Sequence, residues 1–288
     1  MSCAIVCAPM RLILLTALSM LAFAANSVLA RLAFATAHAE ALSYTGIRLL
    51  AGAITLALLV LVRDRTLRIA GSWSGAASLA AYALLFSIAY VLLGAGTGAL
   101  ILFASVQVGI IGWAVIRGDR PALVEWIGLA VAFAGLVYLL LPGLVAPSPL
   151  GAALMFVSGL CWAAYTLIGR GSASPLDDTT GNFIRTAPLA IVLVAIGLFS
   201  APVDPLAALY AVLSGAIASG LGYAVWYTAL PSLTRTRASL VQLTVPVIAA
   251  LGGILFIGEH LTDRIVIAFV AIVGGVAFAL LAANSRRA

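Results

Sequence analysis

Ten apolar stretches of about 20 residues follow one another along this chain and constrain its fold more than any other feature. They cover residues 12–30, 41–62, 75–93, 97–116, 122–141, 149–169, 182–200, 206–230, 238–257 and 265–283. A helix of about 20 residues, rising 1.5 Å per residue, crosses the hydrocarbon core of a bilayer. The links are short, and none is long enough to form a soluble domain. The sequence therefore predicts an all-α integral membrane protein with ten transmembrane helices.

The low content of charged residues supports this interpretation. Only 8% of the 288 residues are charged and 64% are hydrophobic, whereas a soluble domain carries about 25% charged residues. So few charges cannot cover a water-facing surface, so we expect the lipid bilayer to surround the chain. We attribute the formal charge of +6 to positive residues on the cytoplasmic side of the membrane, and we expect no nucleic-acid partner.

The chain consists of two similar halves. A stretch over residues 238–262, with Pro246 near its centre, has a weaker twin over residues 99–121. The matching residues are Thr97 with Thr236, Ala99 with Ala238, Ser105 with Thr244, Val108 with Val247, Gly118 with Gly258, Asp119 with Glu259, Arg48 with Arg185 and Gly135 with Gly275. We therefore divide the chain into a first five-helix repeat, residues 1–144, and a second, residues 145–288.

An odd number of spans per repeat means that the second half enters the membrane from the opposite side. This inverted-repeat layout is typical of secondary transporters, whose substrate site lies between the halves near the membrane midplane. Pro246 lacks a backbone N–H and predicts a kink within the ninth span, which makes it the candidate hinge. Its twin position in the fourth span holds Gln107.

The orientation follows from the distribution of arginine, the only basic residue besides two histidines. Eleven arginines lie on the side of the N-terminus: Arg11, Arg63, Arg65, Arg68, Arg117, Arg120, Arg170, Arg235, Arg237, Arg286 and Arg287. The other side holds Arg31 and Arg264. Because positive residues accumulate on the cytoplasmic side, we expect both termini in the cytoplasm.

These features resemble the drug/metabolite transporter superfamily in its ten-helix EamA-type branch. The most specific part is Val245-Pro246-Val247 followed by Gly258-Glu259, and the resemblance covers nearly the whole chain. The stretch over residues 96–108 is similar to a sub-branch of bacterial inner-membrane exporters of amino acids, notably aromatic ones. The resemblance implies a central cavity lined mainly by spans 1, 3, 4, 6, 8 and 9. The superfamily also contains sugar, nucleotide-sugar and drug carriers, so the substrate does not follow from the fold.

Polar and aromatic side chains on those spans are the candidates for substrate binding. They are Asn26, Tyr82, Phe86, Tyr90, Gln107, Trp162, Tyr165, Tyr223, Trp226 and Gln242. The aromatic residues recur at helical spacing, which places those of one span on one face. Aromatic walls with a few amide and hydroxyl groups suit a small amphipathic ligand. Alternatively, the aromatic rings pack between helices or at the membrane interface, and the glutamines bond across helices.

Two arginines lie inside predicted spans. An ionisable residue within a membrane is a functional candidate by default. Because Arg48 and Arg185 lie near span ends, their long side chains can reach the interface, and the favoured role is structural. Binding of a substrate carboxylate is the alternative. Glu125 lies near a span end and is expected at the interface, and the glycine pairs Gly252-Gly253 and Gly274-Gly275 are expected to allow close helix packing.

The sequence offers no group for catalysis. The three cysteines, Cys3, Cys7 and Cys161, form no metal-ligand pattern, and no cluster of acidic residues or histidines lies within a span. We expect no bound metal or organic cofactor and no enzymatic activity.

The predicted function is a secondary transporter that exports small amphipathic metabolites, most plausibly amino acids including aromatic ones, by alternating access. A carrier of sugars or nucleotide-sugars, a membrane-embedded enzyme acting on lipid, and a channel are the alternatives. The expected partners are the substrate and the bilayer, and a homodimer is left open.

Overall fold

The structure, a computed structural model, describes residues 2–118, 123–140, 147–170, 172–233 and 241–285. Every regular element in these ranges is helical. The helices are α1 (Ser2–Ala35), α2 (Ala41–Asp64), α3 (Trp73–Leu92), α4 (Ala95–Ile116), α5 (Leu123–Leu140), α6 (Pro149–Ile168), α7 (Pro175–Ser200), α8 (Pro205–Leu213), a π-helical segment (Ser214–Leu221), α9 (Gly222–Ala229), a 3₁₀ turn (Leu230–Ser232), α10 (Val245–Ile257) and α11 (Asp263–Ser285).

Seven helical runs in the described part of the chain are long and apolar enough to cross a membrane. They are Met10–Ala35, Ala41–Asp64, Trp73–Leu92, Ala95–Ile116, Pro149–Ile168, Pro175–Ser200 and Pro205–Ser232. The other three predicted stretches overlap α5, α10 and α11, of which α10 covers only the part of the ninth stretch from Val245 onward. The all-α, multi-pass membrane architecture is thus confirmed, whereas the count of ten spans and the inverted repeat stay predictions.

Several sequence-based expectations fall outside what the structure describes. The boundary between the two repeats, at residues 144 and 145, lies outside the described residues, as do Asp119, Thr236 and Ala238. The side chain of Glu125 also lies outside them.

The ninth predicted span is interrupted just before its proline. The chain turns at Leu243 and Thr244, and regular helix begins at Val245, so Pro246 lies in the first turn of α10 rather than in a helix interior. Proline fits there because the N–H groups of a first helical turn have no partner within the helix. Gly258, with φ of 74°, ends α10 in the left-handed conformation just before Glu259.

The eighth run contains a π-helical segment that the apolar pattern did not indicate. Over Ser214–Leu221 the backbone closes its turns over five residues, and Ser214 and Ser219, five apart, are both buried. π-Helical turns are rare and occur frequently at functional sites. The segment packs closely against α2, since a Cβ on Gly215 would collide with the carbonyl oxygen of Arg48.

Glycines allow the helix backbones to approach one another closely. A Cβ on Gly275 of α11 would lie 2.5 Å from the carbonyl oxygen of Gly128 in α5, and one on Gly252 of α10 would lie 2.6 Å from a Val28 methyl. The expected packing role is therefore confirmed for these two glycines and for Gly253, whose Cβ would lie 3.2 Å from that of Ala95. The expected packing role is wrong for Gly274. A Cβ on Gly274 would have no atom within 4 Å, because that face of α11 points away from the bundle.

Contacts between helices follow a paired pattern. Helix α2 packs along α7, and α5 packs along α11. Helix α3 contacts α6, while α1 contacts α8, the π-helical segment and α9. Helix α4 contacts α6, while α1 contacts α10. These contacts are symmetric between the two halves of the chain. If each span of the first half is swapped with the span at the same place in the second half, the first two contacts stay the same. The contact of α3 with α6 becomes that of α1 with the eighth span, and the contact of α4 with α6 becomes that of α1 with α10.

One ion pair connects the ends of four helices. Arg31, near the end of α1, donates through Nε to a carboxylate oxygen of Glu259 at 3.0 Å. The same carboxylate accepts from the backbone N–H of Ala95, the first residue of α4, at 2.8 and 3.0 Å. Arg31 also donates to the carbonyl oxygen of Tyr90 in α3 at 3.4 Å. A carboxylate at a helix N-terminus is favoured by the helix dipole as well.

We expect Glu259→Ala to destabilise the protein, because Arg31 and the first N–H of α4 lose their acceptor while both side chains of the pair are only about a quarter exposed. The free energy of unfolding should fall by about 1–3 kcal/mol, measured by denaturation in detergent micelles. Asp64→Ala is the matched control, since Asp64 pairs with the exposed Arg63 and its loss should leave the unfolding midpoint unchanged. Equal midpoint shifts in both variants would contradict this role of Glu259.

Candidate functional site

Aromatic rings from four helical runs meet in the middle of the bundle. Tyr82, the tenth of the 20 residues of α3, lies 4.8 Å from Trp162 of α6 between ring centroids. Trp162 stacks on Tyr223 of α9 at 5.2 Å, with an angle of 24° between the rings. Phe23 of α1 contacts Tyr223 edge-on at 5.7 Å. These distances are those of favourable aromatic pairs. We call this set, together with Phe86, the aromatic cluster.

Polar groups converge on the hydroxyl of Tyr82. It accepts hydrogen bonds from Asn26 Nδ2 and from the guanidinium of Arg48, both at 3.2 Å. The Oδ1 of Asn26 in turn accepts from Ser214 in the π-helical segment at 2.5 Å. Ser158 of α6 donates to the backbone carbonyl of Tyr82 at 3.0 Å. Helices α1, α2, α3 and α6 and the π-helical segment are thus tied to one residue.

A small cavity of about 30 Å³ lies against this network. Its wall consists of Phe23, Asn26, Ser27, Tyr82, Phe86, Leu102, Phe103, Trp162, Ala218, Ser219, Tyr223 and Gln242. This volume holds one or two water molecules, whereas pockets for small organic ligands measure roughly 300–1,000 Å³. In this conformation the cavity is therefore closed to a metabolite, and it must widen to admit one.

Six of the ten predicted binding residues line the central cavity: Asn26, Tyr82, Phe86, Trp162, Tyr223 and Gln242. Three others pack behind it. Tyr90 lies 4.6 Å from Phe86, and Tyr165 lies 5.4 Å from Trp162, between ring centroids. Trp226 packs on Phe23 at 5.9 Å. These three stand one helical turn from a cavity residue, which is why their spacing grouped them with it.

Gln107 lies elsewhere. It borders a wider groove of about 550 Å³ between α4, α5 and α11, whose other lining residues are almost all apolar, among them Val108, Trp126 and Phe133. Such a groove offers little to orient a polar substrate, so the smaller cavity with its convergent amides, hydroxyls and rings is the better candidate site. Gln107 is nevertheless buried, with 3% of its surface exposed.

Arg48 corrects the expectation that both span arginines reach the interface. It is 2% exposed, and its guanidinium carbon lies 4.7 Å from the ring centroid of Phe86 and 5.4 Å from that of Tyr82. The side chain points into the bundle because Tyr82 offers an acceptor there. Arg185 does behave as expected: its guanidinium reaches the loop between α2 and α3 and donates to the carbonyl oxygens of Ile69 and Ala70.

The sequence analysis missed half of the cavity wall: Phe23, Ser27, Leu102, Phe103, Ala218 and Ser219. Phe23 and Ser27 stand three residues before and one after Asn26, so helical spacing around Asn26 would have indicated Phe23. Ser219 was not predictable, because only the π-helical geometry turns it inward together with Ser214.

We expect Tyr82→Phe to lower the free energy of unfolding by about 1–3 kcal/mol, because Asn26 and Arg48 both lose a buried acceptor. Tyr90→Phe is the matched control: it deletes a buried hydroxyl from the same helix that bonds to the carbonyl oxygen of Ala95 at 3.4 Å, and should cost about 1 kcal/mol or less. Denaturation of both variants in detergent micelles compares them. A loss for Tyr90→Phe as large as that for Tyr82→Phe would show that Tyr82 has no special role.

Comparison with solved structures supports the fold. A crystal structure superimposes on this chain with a TM-score of 0.63, covering 92% of this chain and 98% of its own, at 21% sequence identity. An uncharacterized protein of Pseudomonas aeruginosa is 48% identical over 279 residues, which is 96% of this chain and 97% of that protein.

Other relatives have named activities. The threonine/homoserine exporter RhtA of Salmonella typhimurium is 33% identical over 168 residues, and that of Escherichia coli is 34% identical over 172 residues. Each of these matches covers 56% of this chain and 55% of the exporter. The model of the EamA-like transporter family matches residues 149–281. The second half of the chain is thus an EamA-like transporter domain, as the resemblance to the drug/metabolite transporter superfamily led us to expect.

Proposed function

We propose that this protein exports small amphipathic metabolites, in particular amino acids including aromatic ones, from the cytoplasm across the inner membrane. The observation that carries the proposal is the central cavity, where aromatic rings from α1, α3, α6 and α9 surround the amides of Asn26 and Gln242. An amino acid offers an apolar side chain to such rings and polar groups to such amides. The likeness to threonine/homoserine exporters supports amino acids as the substrate class.

The proposed mechanism is alternating access between two inverted five-helix halves. The paired helix contacts support it, because they are those that a twofold relation between the halves would produce. The cavity draws its wall from α1, α3 and α4 of the first half and from α6, the π-helical segment, α9 and Gln242 of the second. A site shared by both halves is where inverted-repeat transporters hold substrate.

The proposed orientation has both termini in the cytoplasm. The arginine distribution carries this orientation. The alternation of spans that it assumes agrees with three contacts, each of which joins residues expected on the same side: Arg31 with Glu259, Arg63 with Asp177, and Arg264 with the carbonyl oxygen of Tyr138.

The experiment that tests the proposed function is substrate counterflow in proteoliposomes. Vesicles loaded with unlabelled threonine or phenylalanine should accumulate the labelled amino acid from outside. Trp162→Ala should weaken apparent affinity about tenfold, because the substrate loses an aromatic wall. Trp113→Ala, on a residue that is 43% exposed, is the matched control and should transport like the wild type.

The outcomes separate the alternatives. Counterflow of nucleotide-sugars without amino acids would replace the proposed substrate class. Equilibration of labelled solute without transient accumulation would indicate a channel. Chemical modification of lipid in the same vesicles would favour an enzyme.

We further propose that the interruption before Pro246 is a hinge for the cytoplasmic part of the ninth span. Proline has no N–H to donate to the carbonyl oxygen of Gln242, four residues earlier. Because Gln242 lines the cavity, movement at the hinge would shift this part of the cavity wall. Gln107, at the matching position, lies in the continuous helix α4.

We expect Pro246→Ala to slow exchange about fivefold, because an N–H at this position would let the helix continue through the interruption with one more backbone hydrogen bond, worth about 1 kcal/mol, and so favour one facing state. Substrate affinity should change less than the exchange rate. Gln107→Ala is the matched control and should leave the exchange rate unchanged. Exchange rates and substrate affinities measured in the same vesicles test this expectation. Unimpaired exchange by Pro246→Ala would remove the hinge from the mechanism.

A further inference from the structure

The guanidinium of Arg48 carries a positive charge into the bundle without a negative partner. The ion pairs in the described part of the chain join Arg31 to Glu259 and Arg63 to Asp64 and Asp177, and none includes Arg48. In the sequence, the nine acidic residues all lie in links or near the ends of predicted spans. Arg48 itself lies about 10 Å along α2 from Ala41.

The neutral groups around Arg48 compensate this charge only in part. One terminal nitrogen donates to the Tyr82 hydroxyl, and the rings of Tyr82 and Phe86 face the guanidinium. Each cation–π contact contributes about 0.5–2 kcal/mol. Removing a cation from water costs several kcal/mol even after the surroundings relax. A residue that only held helices together would not need a charge at this cost.

Unused hydrogen-bonding capacity lies beside the charge. Among the described residues, three buried polar side-chain atoms have no hydrogen-bond partner: the second terminal nitrogen of Arg48, the hydroxyl of Tyr44 and the hydroxyl of Ser219. Tyr44 precedes Arg48 by one turn on the same face of α2. Ser219 lines the central cavity, as do Tyr82 and Phe86, the two rings that contact Arg48. Buried polar groups without partners are rare in folded proteins, so these groups are available to a ligand or to water.

We propose that Arg48 binds the carboxylate of the transported substrate, with the free nitrogen of its guanidinium as donor and Tyr82 as the residue that positions it. This rests on the proposed function, because it takes the central cavity as the substrate site. The ligand that the chemistry selects is a small molecule with a carboxylate next to an apolar group. Arginine suits this role because its planar donors match the two carboxylate oxygens. When the cavity widens, the wall formed by Tyr82 and Phe86 is the part that separates substrate from the guanidinium.

Arg185 provides the internal comparison. It occupies the matching position in the second half, but its guanidinium donates to the backbone carbonyls of Ile69 and Ala70 in a loop. The carboxylate site is therefore confined to the first half, and the substrate binds in a single orientation, with its carboxylate towards α2.

The first experiment compares phenylalanine with phenylalaninamide, in which a neutral carboxamide of similar size replaces the carboxylate. In counterflow the wild type should prefer phenylalanine by at least about 30-fold, since a buried charge left unpaired is strongly unfavourable. Arg48→Gln should reduce this preference to less than about threefold, and Arg48→Lys should retain part of it. Arg185→Gln, the matched control, should keep the wild-type preference. A wild-type preference that survives in Arg48→Gln would overturn the proposal.

The second experiment separates this proposal from the proposed function. Thermal unfolding of the purified protein with acetate or with acetamide measures recognition of a carboxylate without any transport. Acetate should raise the midpoint of the wild type and not that of Arg48→Gln, whose ligand-free midpoint should equal or exceed that of the wild type. If no amino acid is transported but this acetate effect holds, the substrate class is wrong and the carboxylate site stands. Equal stabilisation by acetamide, or an acetate effect that persists in Arg48→Gln, would overturn it.

Discussion

Close backbone contact is the constraint on which this bundle depends. Lipid chains are as apolar as leucine, so helices in a membrane gain little from burying leucine against one another and rely on tight packing instead. Accordingly, α5 meets α11 where Gly128 faces Gly275, and α2 meets α7 where a Cβ on Gly46 would collide with the carbonyl oxygen of Ala190. A Cβ on Gly159 of α6 would lie 2.5 Å from that of Ser105 in α4. These contacts leave the helices around the centre with little freedom to separate individually.

The centre of the bundle is held together by aromatic and polar contacts. There the close contacts give way to large aromatic side chains, and hydroxyl and amide groups satisfy one another across helices instead of facing lipid. Tyr82 joins the two features, because its ring belongs to the wall of the cavity and its hydroxyl is the shared acceptor of the polar network. Widening of the central space would therefore require whole groups of helices to move together.

The sequence predicted the helices well because their signal is local: a long apolar stretch with short polar links determines a membrane helix almost alone. It also predicted six of the cavity residues, since aromatic spacing along a helix identifies a shared face. Three features could not be predicted from the sequence, each for a physical reason. The inward position of Arg48 depends on an acceptor from α3, which lies 34 residues away in the chain. The separate location of Gln107 depends on how α4 turns against α5 and α11. The break before Pro246 depends on packing that a proline alone does not specify, since proline fits both a kink and a helix start.

The π-helical segment has a consequence for how this site could diverge between related chains. Because its turns close over five residues instead of four, Ser214–Leu221 accommodates more chain than an α-helix of the same length along its axis. Losing one residue there would return the run to ordinary α-helix of nearly the same length, because the wide turn is what takes up the extra residue. Tyr223 would then keep its place in the aromatic cluster, and the change would be confined to the turn itself, where Ser214 donates to Asn26 and Ser219 lines the cavity. A single deletion would thus alter the polar part of the cavity wall and leave its aromatic part in place.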